Sequence, residues 1–326
     1  MELDKLPVKP VNAVKQANSV KEMAVGNYKI VPYGIVNINA NLLQSQGYTG
    51  RGVVLAILDT GIADRPDFGG RVISHDNMTN AARPGSAHGT HVCGTAIAYS
   101  TNPSGPLVGV ATETLVRDIQ IIGPNGGSDS QFARGIDKAI AYGVDVINMS
   151  VGTPNNNSVI NNAVKRAYDA GIILVSAAGN DGRGTIMYPG ALDQCISVGN
   201  LNILTNIVDI TSSTNRYVDC YAPGDNVFST VPNGYALYSG TSMATPHVAG
   251  LCCCLLQKLR GENPTFTKQQ LRDAVRNVLL NNVVNIGASC QAISAGCGVV
   301  RWQPEVTPSI KYIEISAQYY SYIVNH

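Results

Sequence analysis

The chain is short of charge. Asp, Glu, Lys and Arg make up 14% of its 326 residues, against about 25% in an ordinary soluble domain, while the apolar share is an ordinary 44%. Disordered chains combine low hydrophobicity with high net charge, so this balance excludes disorder as the general state and points to a heavily buried domain. There is no dense run of Lys or Arg and the formal net charge is +1, which leaves no electrostatic footprint for nucleic acid or an anionic membrane. No apolar stretch reaches the ~18 residues a membrane-spanning helix requires. HExxH and spaced CxxC pairs are also missing, so the histidines lack the usual zinc signatures. No internal repeat of fixed period is visible, which removes solenoid architectures. Length alone fits one large α/β domain or two small ones.

What is present is an ordered set of polar residues, each at the edge of an apolar element. Val53 to Leu58 reads VVLAIL, a continuous apolar run expected of a buried parallel strand, and it ends at Asp59-Thr60-Gly61. A carboxylate is thereby placed at a strand's C-terminal end, where open α/β sheets keep their sites. Ser86 to Thr95 reads SAHGTHVCGT, with His88 and His91 three apart and small residues suited to a closely packed helix. Ser239 to Gly250 reads SGTSMATPHVAG, which sets Ser242 after a glycine turn at the start of a long helix. That helix is apolar nearly all round up to Leu256 and is expected to run through the centre of the fold, with Pro246 in its first turn.

The remaining pattern alternates apolar strands with helices, as in a parallel sheet covered on both faces. Ser128 to Gln131 forms a capping box for a helix bearing Phe132, Ile136, Ala139 and Ile140 on one face, and Thr267 to Gln270 forms another for Leu271, Val275 and Leu279. Strands are expected at Val144 to Met149 and Ile172 to Ala177, with a helix from about Val159 to Ala170 between them.

Taken singly, each polar residue has an ordinary use: Asp59 as a turn residue, Ser242 as a helix cap, the HxxH pair as a structural or metal half-site. Together and in this order, DTG, HGTH and GTSMATPH resemble the subtilisin-like serine proteases, the subtilases. The likeness begins near Val31-Pro32-Tyr33-Gly34, takes in Gln46 to Gly50 and extends to about Gly296-Cys297-Gly298, roughly four fifths of the chain. It implies a three-layer α/β/α fold with a central, mostly parallel sheet, and a serine endopeptidase whose triad is Asp59, His88 and Ser242. Ala177-Ala178-Gly179-Asn180 matches the family's oxyanion segment and makes Asn180 the side-chain donor. His91 and His247 are then structural. A peptide ligase on the same fold and a catalytically silent binding scaffold are the alternatives; no large insertion that would act as a lid is seen, and the intact triad with Asn180 weighs against the second.

The resemblance also implies how an extended peptide or protein substrate is held. It would pair with Ser150-Val151-Gly152 and with Gly126-Gly127-Ser128, leaving selectivity to side-chain pockets. The primary pocket would lie between Ser150 to Gly152 and Ala177 to Gly179, and Met187, where many relatives have a small residue, is expected to make it shallower and adaptable. No cofactor is required for the chemistry. Asp67 matches a family ligand for structural calcium, yet the loop before it is one residue shorter than the common pattern and the partner loop, Tyr99 to Pro106, has no carboxylate, so carbonyl oxygens would have to supply the other ligands.

Three segments are expected: residues 1 to 30 as an N-terminal extension or short inhibitory propeptide, 31 to 302 as the peptidase domain, and 303 to 326 as a tail without family counterpart. The N-terminus lacks the pattern of a signal peptide, which favours an intracellular enzyme or a form with its signal removed. Of the eight cysteines, Cys252, Cys253 and Cys254 are consecutive and read as small buried hydrophobes, Cys290 and Cys297 could bridge a short loop, and a free thiol at Cys93 would make the enzyme sensitive to mercurials.

Overall fold

The computed structural model describes residues 9–10, 29–79, 86–202, 207–209, 211–285 and 298–302. In chain order the strands are β1 (Lys9–Pro10), β2 (Val54–Asp59), β3 (Val72–Asn77), β4 (Leu115–Gln120), β5 (Val146–Met149), β6 (Val151–Gly152), β7 (Ile173–Ala177), β8 (Cys195–Asn202), β9 (Ile207–Val208), β10 (Cys220–Pro223), β11 (Val227–Val231), β12 (Gly234–Tyr238), β13 (Val283–Asn285) and β14 (Gly298–Val300). The helices are α1 (Tyr33–Asn37), α2 (Ala40–Ser45), α3 (Ala87–Ile97), α4 (Asp129–Ala141), α5 (Ser158–Asp169), α6 (Thr241–Glu262) and α7 (Lys268–Asn281).

The apolar runs of the sequence become a sheet in the order β3-β4-β2-β5-β7-β8-β10-β14, parallel throughout, with β13 antiparallel to β14 at one edge and β9 antiparallel to the end of β8. Alternate residues of β2 serve different layers. Leu55 and Ile57 join the core containing Val92, Val248 and Leu251 of α3 and α6, while Ala56 and Leu58 join Phe132, Ile136, Ile160 and Val164 of α4 and α5. This is the three-layer α/β/α arrangement expected, and it explains why β2 is apolar on every residue from Val54 to Leu58. From β2 the chain moves outward to β3 and β4; from β5 it moves the other way. The sheet order therefore reverses between β2 and β5, and the crevice beyond their carboxyl ends is where such sheets bind ligands.

Both capping boxes form: Gln131 and Ser128 bond reciprocally at 3.3 and 2.8 Å, Gln270 and Thr267 at 3.2 and 2.8 Å. The central helix α6 is buried from Thr241 through Leu256, as its all-round apolar surface requires. Pro246, however, is the sixth residue of α6 and not in its first turn. Its ring nitrogen cannot bond the carbonyl of Ser242 four residues back. That carbonyl instead accepts the Ser150 hydroxyl at 2.9 Å, so the proline converts a helical hydrogen bond into a tether between α6 and the segment after β5.

The cysteines Cys93, Cys195, Cys220, Cys252, Cys253 and Cys254 are buried free thiols. Burial pushes the Cys93 thiol well up from its ordinary range, with Asp118 adding to the rise. A thiol that is both inaccessible and protonated packs as a small apolar group. Cys290 and Cys297, residues 11–28 and the tail from 303 lie outside the described residues.

Candidate active site

Asp59 closes β2 with its side chain fully buried. The following Thr60 bonds it through its own N–H at 2.7 Å and its hydroxyl at 3.0 Å, both to Asp59 Oδ1. His88, second residue of α3, donates from Nδ1 to the same oxygen at 2.7 Å. The approach of α3 depends on Gly89: a Cβ there would lie 2.4 Å from the Gly61 carbonyl and 3.2 Å from Asp59 Oδ1. Thr60 Oγ1 also accepts from Gly89 N–H at 3.0 Å, so the DTG turn grips the start of the helix as well as the carboxylate. With Nδ1 committed as donor, Nε2 is the basic end of the ring, and among the described residues it has no hydrogen-bond partner.

Ser242 is the second residue of α6, behind Gly240 with φ of 147°, a left-handed backbone that glycine alone adopts cheaply. Its hydroxyl donates to the Ser150 carbonyl at 2.9 Å. Together with the reverse bond from Ser150 Oγ, this fixes the helix start against the end of β5; Asn148 Nδ2 in turn holds Ser150 Oγ at 3.0 Å. The Asn180 segment is pinned to the same helix start. Thr241 N–H donates to Asn180 Oδ1 at 2.9 Å and Gly179 N–H donates to Thr241 Oγ1 at 3.2 Å. The amide oxygen is used in this way, and the Nδ2 end of Asn180 is a pure donor.

Thr153 and Tyr188 exchange backbone hydrogen bonds at 2.9 and 2.8 Å, which carries the edge at β6 onto the segment before the cis Tyr188–Pro189 bond. Met187 packs on Ala177 and is 8% exposed; a Cβ built on Gly179 would be 2.5 Å from its Cγ. Its side chain thus lies against Ala177 and Gly179. Gly126 and Gly127 belong to a loop in which Gly123 and Gly126 bridge each other. A strand in the N-terminal extension was not anticipated: β1 pairs antiparallel with β6, Lys9 opposite Gly152 and Pro10 opposite Val151.

His91 and His247 serve packing. His91 Nε2 donates to the Val227 carbonyl at 2.9 Å and lies near that of Ala236 at 3.2 Å, its ring stacked on Tyr238 with centroids 4.6 Å apart. His247 Nδ1 donates to the Met243 carbonyl at 2.9 Å. Asp67 is fully buried, but its oxygens face donors and not fellow ligands: Oδ1 accepts from Tyr235 Oη at 2.7 Å and Leu107 N–H at 3.2 Å, Oδ2 from Arg65 Nη2 at 3.1 Å. These residues do not fit a calcium ion, which takes six to eight oxygens. Among the described residues no group of three or more His, Cys, Asp or Glu is placed to hold a metal.

The sequence profile described as the Subtilase family matches residues 50–298. The chain belongs to the subtilase family. It is a serine endopeptidase, a hydrolase of peptides or proteins. It is 40% identical to subtilisin of Bacillus pumilus over 76% of this chain and 90% of that protein. Against subtilisin E of Bacillus subtilis (strain 168) the identity is also 40%, and the chain spans 65% of that relative's length. An intracellular serine protease of Paenibacillus polymyxa is 37% identical over 87% of both proteins. Among the described residues no helix is long and apolar enough to cross a membrane.

The sequence offered no signal for two contributors to this subtilase site. Ser150 was legible as a substrate contact but not as the hydroxyl that replaces the bond lost at Pro246. Thr241 was legible as part of GTSMATPH but not as the residue that orients Asn180.

Proposed function

We propose that Asp59, His88 and Ser242 act as the catalytic triad and Asn180 as the oxyanion donor. The observation that carries this reading is the 2.7 Å bond from His88 Nδ1 to the buried Asp59, which leaves Nε2 as the basic nitrogen of a ring on α3, a helix packed against α6. The Ser242 hydroxyl rotates from the Ser150 carbonyl toward Nε2, gives up its proton there and attacks the scissile carbonyl. Negative charge gathers on the carbonyl oxygen and is met by Asn180 Nδ2 and by the Ser242 N–H at the positive end of a 22-residue helix. His88 then protonates the leaving amine, and a water repeats the steps to free the acyl group. A fluorophosphonate probe should label the wild type and not Ser242→Ala; labelling at another residue would overturn the assignment.

Substrate is held as an added strand. Peptide backbone pairs with Ser150 to Gly152 on one side and with Gly126-Gly127-Ser128 on the other, and the primary side chain enters between Ser150 to Gly152 and Ala177 to Gly179. Met187 fills space at the base of that pocket, so small P1 residues are preferred. The expected outcome for Met187→Gly is a gain in kcat/KM for P1 Phe relative to P1 Ala of about 10-fold or more; an unchanged ratio would return Met187 to the core.

The N-terminal extension acts as an internal occupant of this groove. Support comes from β1, whose backbone takes the antiparallel place on β6 that a substrate would need. A chain beginning at Lys29 should therefore have lower KM than the full chain, and equal KM would sink the idea. For location, the buried free thiols and the likeness to an intracellular relative support an intracellular site, which fractionation of the source cells would check.

A further inference from the structure

The Asp67 locus has the outline of a cation site and the contents of something else. Asp67 sits in a 3-10 turn, Pro66–Phe68, entirely out of contact with solvent. Arg65, only 7% exposed at its side chain, supplies a permanent positive charge 3.1 Å from Oδ2 and lies 5.2 Å from the centroid of the Tyr235 ring. The other carboxylate oxygen is taken by Tyr235 Oη and Leu107 N–H. The neighbouring loop, 99–106, is equally committed. Lys29 Nζ donates to the Ser100 carbonyl and, at 3.2 Å, to that of Gly105. Arg71 Nη2 donates to the Tyr99 carbonyl at 2.6 Å, Ile30 N–H to that of Pro106 at 2.9 Å, and Asn102 Oδ1 accepts Ser104 N–H at 2.9 Å. Each oxygen named here is already engaged by a donor, and Asp67 is the one carboxylate among them.

We propose that Lys29 and Arg65 are the resident cations of this locus, so that the ammonium and guanidinium of the chain itself hold the Asp67 turn to the 99–106 loop and no calcium ion binds there. Two charges of +1 placed beside one buried carboxylate and a set of loop carbonyls match what a divalent ion would bring, without its demand for six to eight oxygens in one sphere. The burial that pulls the Lys29 ammonium down is opposed by the charge of Asp67, which ties the two residues into one electrostatic unit across 38 positions of sequence. The arrangement has a consequence for processing. Lys29 is anchored beside Ile30, whose N–H bonds Pro106 and whose carbonyl accepts Val108 N–H, each at 2.9 Å. Removal of the extension by a cut after Lys29 would take one of the two cations with it; a cut before Lys29 would leave the locus intact.

The test uses the full chain carrying Ser242→Ala, which prevents self-digestion, and follows thermal unfolding in EDTA and in millimolar calcium chloride. The first readout is the calcium-induced shift of the midpoint in this protein minus that in the same protein with Asp67→Asn. The expected difference is zero, and a larger shift in the parent would overturn the proposal by placing calcium on Asp67. The second readout does not depend on the Asp67 variant folding. Lys29→Met should lower the midpoint in EDTA by several degrees, because two loop carbonyls lose their donor. An unchanged midpoint would show that Lys29 is not a resident cation.

Discussion

Asp59 and Asp67 are eight residues apart, and both are completely buried. Their surroundings differ in one respect. Asp67 faces a guanidinium that never titrates and has donors on both oxygens. Asp59 concentrates its donors on Oδ1, while Oδ2 takes no hydrogen bond among the described residues, and its partner is an imidazole that can gain and lose a proton. A carboxylate against a fixed cation is a fastening. Against a titratable partner it becomes a device for setting that partner's tautomer and charge.

The sharpest way to break the comparison is to neutralise each carboxylate in turn. Asp59→Asn should lower kcat on a peptide substrate by on the order of 10⁴-fold, the scale seen when the triad carboxylate of other serine proteases is neutralised. The thermal midpoint should hardly move, because no permanent charge is left stranded. Asp67→Asn should reverse the pattern. It leaves the Arg65 guanidinium buried without its anion, an arrangement that costs about 3–5 kcal/mol, while kcat of the enzyme that remains folded should stay within a few-fold of wild type. Activity assays paired with denaturant unfolding separate the two outcomes. If Asp59→Asn destabilised as much as Asp67→Asn, the distinction between device and fastening would fall.

How much of this was legible in the sequence follows from the same contrast. Asp59 could be read because everything that positions it is local or motif-borne: an apolar strand before it, Thr60 beside it, and Gly89 next to His88. The capping boxes and the course of α6 were legible for the same reason, since periodicity and capping act within a few residues. The surroundings of Asp67 could not be read because its partners are scattered. Leu107 and Tyr235 come from two distant segments, and only Arg65, two residues away, left a local trace. The β1–β6 pairing was hidden too, since two residues of strand carry no periodic signal. The consequence of Pro246 was hidden because it depends on a hydroxyl at Ser150, 92 residues before Ser242 along the chain.

The comparison extends to the histidines, and gives the smallest predicted effect. His88 has a carboxylate partner; His91 and His247 have only backbone carbonyls. Burial pulls His91 down to about 3, against the hydrogen bond to Val227, and pulls His247 down to about 4, against the bond to Met243. Both folded values lie below the ordinary one near 6.5, so the unfolded chain takes up these protons first. The stability they contribute is complete above about pH 6.5 and is lost as pH falls from there toward 4 and then 3. Each histidine contributes a slope of about 1.4 kcal/mol per pH unit inside that window, so the two together give roughly 2.7. His247→Asn should remove about half of this slope between pH 6 and 4.5 while leaving the triad untouched, as measured by urea unfolding at a series of pH values. An unchanged slope would mean that His247 is not among the groups through which acid acts, and would remove it as a weak point of the fold.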